Sequence, residues 1–517
     1  NAAMTAVNSH ALLPIARDCA AMEPDAFVVY MGNNEVIGPY GAGSVFGRRF
    51  RSTGLVRAHI WLNSTKMSQL FYSLFDWRGD RWGKADNWNG MAAFMENRVA
   101  ADDPRLEITR AHFRQNYQDM YRVARSCGAV FIPCTVAVNF RDSPPFASAH
   151  RADLTEEDRA LFAAEFDKGL SLLAEGRTAN AAAAFESCLK LDDQHADAHF
   201  FFAKSAELAG QAPETAHAHF IAARDLDTLR YRTDSALNDI VRKLFADSDP
   251  GTCRLVDVDR RLGDAAPTPI KLPGDEFFHE HVHFTPAGNY EVARMLFATI
   301  EPLAAQALGE PANPGFAPPS FETCARRLGF TFFEEAFYDR FMLEEMINQP
   351  PFTSRIGHEA LYARKKAALA AKYRGRFTPD NLRRAVQASE EAVARHPDDL
   401  YLRRGLVNHY LGLKMREPAI QQMEELVRTI PTDYYMLARL GGELMRHGDE
   451  DRAAELFRQA LRLNPYLYVA QNNLAVYENR QNIRAQGREP EIEDAGGDRL
   501  PPFWEYFGPG ATNESSF

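Results

Sequence analysis

Residues 27–35 read FVVYMGNNE, a short apolar run that ends in Gly32-Asn33-Asn34-Glu35. A phenylalanine, two valines and a tyrosine in so few positions predict a buried strand. Glu23-Pro24-Asp25 interrupts the apolar periodicity of residues 11–22 just before it, so a helix should precede the strand. A polar Gly-Asn turn after a buried strand is where open α/β sheets place their sites. An ordinary strand-to-helix loop fits the same residues equally well.

Working outward, residues 107–127 pattern as an amphipathic helix, and Ala129–Val138 (AVFIPCTVAV) as a second buried strand. Arg254–Val258 is a third strand candidate, and Tyr290–Leu303 a closing helix. Helices alternating with apolar strands predict an α/β domain, a mainly parallel sheet covered by helices. Between the first two strands, residues 36–54 are glycine-rich but no Lys-Ser/Thr follows, so they are no phosphate loop. Residues 55–76 read as a helix. Residues 77–104 are irregular and carry Trp77, Trp82 and Trp88, as a pocket wall or a packed surface loop would.

Pure helix interrupts this pattern at residues 155–246. Gly169, Ala181, Phe185 and Cys188 stand at tetratricopeptide spacing, and Ala216, Phe220 and Ala223 repeat the last three with a displacement of 35. Small residues let two antiparallel helices approach, and the aromatic fills the groove between them. A stronger period lies further on. Pro397, Pro431 and Pro465 are 34 residues apart, as are Ala385, Ala419 and Ala453, with Gly441 and Phe457 at the small and aromatic positions. Both stretches are expected to bind a protein or peptide partner in a groove.

The 59 basic and 70 acidic residues give a net charge of -11, which argues against a general nucleic-acid binder. The six cysteines are scattered without a C-x-x-C, so neither a disulfide framework nor metal ligation is expected. No run of 18 apolar residues occurs and no signal peptide is visible. The chain opens at Asn1 inside a helix-like pattern, which predicts a truncated N-terminus. A membrane anchor or export signal would lie in the missing part, and the compartment stays open.

The stretch that carries chemistry is Phe277–Asn289, FFHEHVHFTPAGN, with Glu280 three residues before His283. A carboxylate so placed can orient an imidazole as a general base. His279, His281 and His283 alternate and would share a face on a strand, as metal ligands do, but no further ligand stands at the right spacing, so no metal is expected. Arg48, Arg49 and Arg51 could meet an anionic substrate or simply face solvent.

The Gly32-Asn33-Asn34-Glu35 turn and the later Glu280-x-x-His283 followed by Thr285-Pro286 resemble the SGNH (GDSL-type) hydrolase superfamily. The resemblance implies an ester hydrolase with an acyl-serine mechanism and no cofactor. In it, His283 is the base and Glu280 its orienting acid. Asn34 donates its amide to the oxyanion, with Gly32 supporting the turn and Ala3 supplying a backbone N–H. Glu35 and Glu280 stand where the family has Asp. The nucleophilic serine belongs before Asn1, and Ser9 is rejected because it falls inside a helical pattern. The chain as given is therefore expected to be inactive. An ester or acylated small molecule or carbohydrate is the implied substrate. A scaffold in which the repeats act and the α/β part is degenerate is the alternative.

The expected organisation is an SGNH-like α/β sheet in residues 1–154 and 247–310, interrupted by a tetratricopeptide-like insertion at 155–246. A linker and aromatic-rich helical region follow at 311–375, then an all-α repeat solenoid at 376–481 and a polar tail at 482–517.

Overall fold

A computed structural model describes residues 4, 7–45, 50–67, 90–310 and 317–489. Ala3, Arg48, Arg49, the three tryptophans of the 77–104 loop and most of the expected tail lie outside the described residues. The chain divides into two compact units, residues 1–318 with 344–362, and residues 319–343 with 363–517. Residues 311–375, expected as a linker and helical region, are thus shared between the units. Among the described residues, no helix is long and apolar enough to cross a membrane.

The first unit starts with α1 (Ser9–Ala20), β1 (Ala26–Tyr30), α2 (Thr53–Ser64), α3 (Arg105–Ser126) and β2 (Val130–Cys134). The strands pair in parallel, Ala26 opposite Val130 through Tyr30 opposite Cys134. Helix α3 makes the crossover that a parallel pair requires. Its buried residues Phe113, Tyr117, Met120 and Ala124 recur at helical spacing and pack against the sheet.

The broad parallel sheet expected from the sequence is not there. Among the described residues the sheet has two strands, and most of the chain is helical. The third expected strand, Arg254–Val258, adds only isolated parallel bridges, Phe131 to Cys253 and Cys134 to Val256. The reason is local. Phe131 N–H donates to Thr252 O at 2.9 Å, Arg254 N–H to Phe131 O at 2.9 Å and Val256 N–H to Pro133 O at 3.0 Å. Pro133 has no N–H to return, so the ladder breaks at its middle rung.

Helices still cover both faces of this small sheet. On one face Val29, Phe131 and Cys253 pack with Leu13, Phe113, Tyr117 and Met120, and with Leu237, Val241 and Phe245 of α8 (Ser235–Phe245). On the other, Ile132, Cys134 and Val256 pack with Leu262 of α9 (Val258–Ala265) and Met295 of α10 (Pro286–Leu308).

The insertion consists of α4 (Glu156–Ala174), α5 (Thr178–Leu191), α6 (Ala196–Leu208) and α7 (Pro213–Asp225). A Cβ on Gly169 would meet the Phe185 ring at 2.7 Å, so only glycine admits that ring. The insertion is no independent body. Its core of Phe166, Phe185, Phe201 and Phe220 runs on into Val138, Phe140, Ile270 and Leu272 of the α/β part.

The second unit opens with α11 (Phe321–Arg327) and α12 (Phe332–Phe341). Then come α13 (Pro379–Arg395), the pair α14 (Leu400–Gly412) with α15 (Arg416–Thr429), the pair α16 (Tyr434–His447) with α17 (Glu450–Leu463), and α18 (Tyr468–Ala485). Gly441 on α16 receives the Phe457 ring of α17, where a Cβ would come within 2.8 Å. Ala419, Met423, Leu437, Ala453 and Ala460 fill the same core.

Candidate functional site

The Glu280 stretch is a tight turn rather than the strand its alternating histidines suggest. Phe278 bridges Phe284 in antiparallel fashion, and His279 N–H donates to His283 O at 2.9 Å. Thr285 caps α10, its hydroxyl accepting from Gly288 N–H at 3.1 Å and donating to Glu276 O at 3.1 Å. Because the chain folds back here, the alternation does not put the three histidines on one face. His281 is buried while His283 is open. Among the described residues, no group of three metal-ligating side chains forms.

Glu280 is buried inside this turn. Its Oε1 lies 2.5 Å from His283 Nδ1 and accepts from His283 N–H at 2.7 Å, and its Oε2 accepts from His281 N–H at 2.7 Å. Oε2 also lies against His281 Nδ1. These bonds fix the imidazole of His283 while 54% of its side-chain surface stays open. Desolvation holds the His283 pKa below its ordinary value of 6.5, which favours the neutral ring. With Nδ1 held by the carboxylate, Nε2 carries the ring's lone pair.

The other half of the site is the turn after β1. Gly32 O accepts from Glu35 N–H at 3.0 Å and Asn34 O from Gly38 N–H at 2.7 Å. A Cβ on Gly32 would meet Thr233 Oγ1 at 2.5 Å. Asn33 is committed, its Oδ1 accepting from Thr233 N–H at 3.0 Å and the Thr233 hydroxyl at 2.9 Å. The Asn34 side chain is half-buried and makes no hydrogen bond among the described residues. Glu35, by contrast, turns inward. It accepts from Ser9 N–H at 3.0 Å and Ser9 Oγ at 2.6 Å, and burial pushes its carboxyl up to about 7. Ser9 itself is fully buried.

The two halves are stitched to one end of the sheet. The Tyr30 and Phe284 rings lie 6.1 Å apart, and Ala137 N–H donates to Tyr30 Oη at 3.1 Å. Beyond β2, Asn139 N–H donates to His281 O at 2.9 Å. Tyr231 packs edge-on to His281 at 6.3 Å, two residues before Thr233 grips Asn33. This is the carboxyl end of the parallel strands, the usual location of α/β sites.

A salt-bridge network holds the turn from behind. Arg141 Nη2 donates to Glu276 at 2.5 Å and its Nε to Leu272 O at 2.9 Å. Lys204, on α6 of the insertion, donates to Asp142 and Glu207 at 2.8 Å each. Burial alone would raise the Asp142 pKa, but Lys204 and the Asp275 N–H outweigh it and bring it to about 2. Thr233 and Arg141 stand in no motif of the sequence, and Asn139 shows there only as the polar residue that follows the second apolar strand. The only local signal was the unusual Arg230-Tyr231-Arg232 loop.

A serine–histidine–carboxylate line exists in the second unit. Ser389 Oγ lies 2.9 Å from His409 Nδ1, and His409 Nε2 lies 2.6 Å from Glu334. Ser389 and His409 are buried, and the Ser389 hydroxyl donates to Gly329 O at 3.2 Å. Burial pushes Glu334 up to about 7 and His409 down to about 4. The line ties α12 to α13 and α14, and its serine and imidazole are closed off from solvent.

A family model described as a tetratricopeptide repeat matches residues 166–195. The chain is 30% identical over 130 residues to the Photosystem I assembly protein Ycf3 of Rippkaea orientalis (strain PCC 8801 / RF-1), an alignment spanning 23% of this chain and 68% of that protein. The crystal structure of the P58(IPK) TPR domain overlays 64% of this chain and 99% of its own at 13% identity, with a TM-score of 0.19, too low to bear on the fold. Together with the repeating helix pairs, the family model and the Ycf3 relative define the class as a repeat protein. The chain belongs to the tetratricopeptide-repeat family. None of these matches supports the hydrolase resemblance of the α/β part.

Proposed function

We propose that the protein is a tetratricopeptide scaffold that holds an extended segment of a partner protein. The observation behind this reading is the repeated closure of helix pairs by a small residue on an aromatic, Gly169 on Phe185 and Gly441 on Phe457. Pairs closed in this way stack with their first helices side by side, which makes a continuous face for a peptide. On that face Arg439 of α16 donates to Asn408 of α14 at 2.8 Å. The test is selection of a displayed peptide library on the whole chain. Enriched peptides should lose about tenfold in affinity, the worth of one charged hydrogen bond, in Arg439→Ala. A library that gives no enrichment, or binding indifferent to that change, refutes the scaffold.

One observation favours a second reading, ester hydrolysis: the 2.5 Å contact of Glu280 with a half-open His283. In this reading His283 takes the proton of a serine nucleophile, Glu280 steadies the imidazolium and Asn34 donates its free amide to the oxyanion. Gly32 keeps the turn close to Thr233, and Ala3 would add a backbone N–H. The substrate is an ester of a small molecule or carbohydrate. No described serine is bonded to His283, so the nucleophile is the part this reading still requires. Hydrolysis of p-nitrophenyl acetate tests it, and a rate unchanged by His283→Ala refutes it.

A further inference from the structure

Behind the Glu280 turn, Arg355 enters the first unit with 6% of its surface exposed. Its guanidinium lies over two aromatic faces, 5.1 Å from the Phe146 centroid and 4.7 Å from that of Phe352. Nη1 donates to Ser143 Oγ at 3.1 Å and Nε to Phe352 O at 3.4 Å. Among the described residues it forms no ion pair, and Nη2 makes no hydrogen bond. Nη2 is not fully enclosed and keeps some accessible surface.

A buried guanidinium without a counter-charge is costly. The nearby carboxylates are engaged elsewhere. Asp227 takes Arg232 Nη2 at 3.2 Å and the N–H groups of Phe146, Ala147 and Leu229. Asp197 takes the Ser148 hydroxyl at 2.6 Å, and burial pushes its carboxyl up to about 7. Asp275 takes the Asn139 amide at 3.1 Å. Arg232 adds a second cation, bonded through Nη1 to the carbonyl of the same Ser143 at 2.9 Å. His281 closes the group, 5.1 Å from Phe146 and 5.3 Å from Phe352.

We propose that Arg355, steadied by Phe146, Phe352 and Ser143, binds the carboxylate or phosphate group of a small anionic ligand beside the Glu280 turn. The aromatic faces hold the guanidinium plane, Ser143 and the Phe352 carbonyl fix its rotation, and the free Nη2 edge meets the anion. The site stands whether or not Glu280 and His283 act on an ester.

Calorimetric titration of the whole chain tests it, with sodium phosphate in one arm and sodium succinate in the other, at ionic strength held constant with sodium chloride. One arm should give saturable one-to-one binding, and which arm does so separates phosphate from carboxylate. Ser143→Ala, which removes only the Nη1 anchor, and Arg355→Met should each weaken it by about tenfold or more. Arg122→Met, at an exposed arginine, should leave it unchanged. The wild-type titration decides even if Arg355→Met fails to fold. No saturable binding of either anion, or binding that Ser143→Ala leaves intact, overturns the site.

Discussion

Two neighbouring glycines on α16 should respond in opposite directions to the same substitution. An alanine Cβ at Gly441 would stand 2.8 Å from Phe457 Cε1 and 3.1 Å from two further ring atoms, and that ring is fully buried. Overpacking of this kind costs about 1–3 kcal/mol. Gly→Ala inside a helix gains about 1 kcal/mol, so Gly441→Ala should lose between about 0 and 2 kcal/mol net. At Gly442 the added Cβ would touch only Arg446 Nη1 at 3.9 Å, so Gly442→Ala should gain about 1 kcal/mol. Replacing the ring by Phe457→Leu removes the clash. In that background Gly441→Ala should turn stabilising by about 1 kcal/mol. Native-state hydrogen exchange on peptides from α16 and α17 reads the local free energy without requiring the whole chain to unfold as one. Equal losses from Gly441→Ala with and without the Phe457 ring would show that the glycine is not there to admit it.

In the insertion, Phe185→Ala should cost about 3–5 kcal/mol and loosen exchange in α4 and α5 together, since the ring plugs the space over Gly169. Asp142 has a folded pKa of about 2 against 3.8. Its stabilisation is therefore complete above pH 3.8 and lost as pH falls towards 2, about 2 kcal/mol that Asp142→Asn should remove from an acid-unfolding profile. Glu35 has the opposite sign. Its folded pKa of about 7 lies above 4.5, so it weakens the fold increasingly as pH rises from 4.5 to 7. Glu35→Gln should gain up to about 3 kcal/mol on wild type at pH 8 and little at pH 4, measured by denaturant melts. If His283 acts as a base, p-nitrophenyl acetate hydrolysis should fall as pH drops through a value below 6.5 and be absent in His283→Ala.

The repeats were legible because their determinants are local and periodic. Glycine, alanine, aromatic and proline recur at fixed spacing, and each helix pair closes on residues about 16 apart, as Gly169 does on Phe185. Strands β1 and β2 were legible as apolar runs. Arg254–Val258 reads as a third, but its reduction to isolated bridges was not legible, since that is decided by Pro133 only once the strands are aligned. At the candidate site, Glu280 and His283 meet within one turn, so their spacing sufficed. Thr233 reaches Asn33 across 200 residues, and nothing in either segment announces the other. The alternating histidines misled for a related reason. A period of two has meaning on an extended chain, and the Phe278–Phe284 bridge folds this one back.

The junction of Phe131 with Cys253 also sets an order of events in time. The helix pairs of the second unit join neighbours in the chain, so they can condense as soon as each is made. The first unit completes its sheet only when residues 253–256 return to β2 across the whole insertion. Closing so long a loop is slow in entropy terms, but four helices that form locally within it shorten the flexible length that must be searched. Because their core runs on into Val138, Phe140, Ile270 and Leu272, they also bring the two segments flanking them to the same place. The inserted repeats thus act as a folding bridge for the α/β part, and unit one should gain its native exchange protection after unit two.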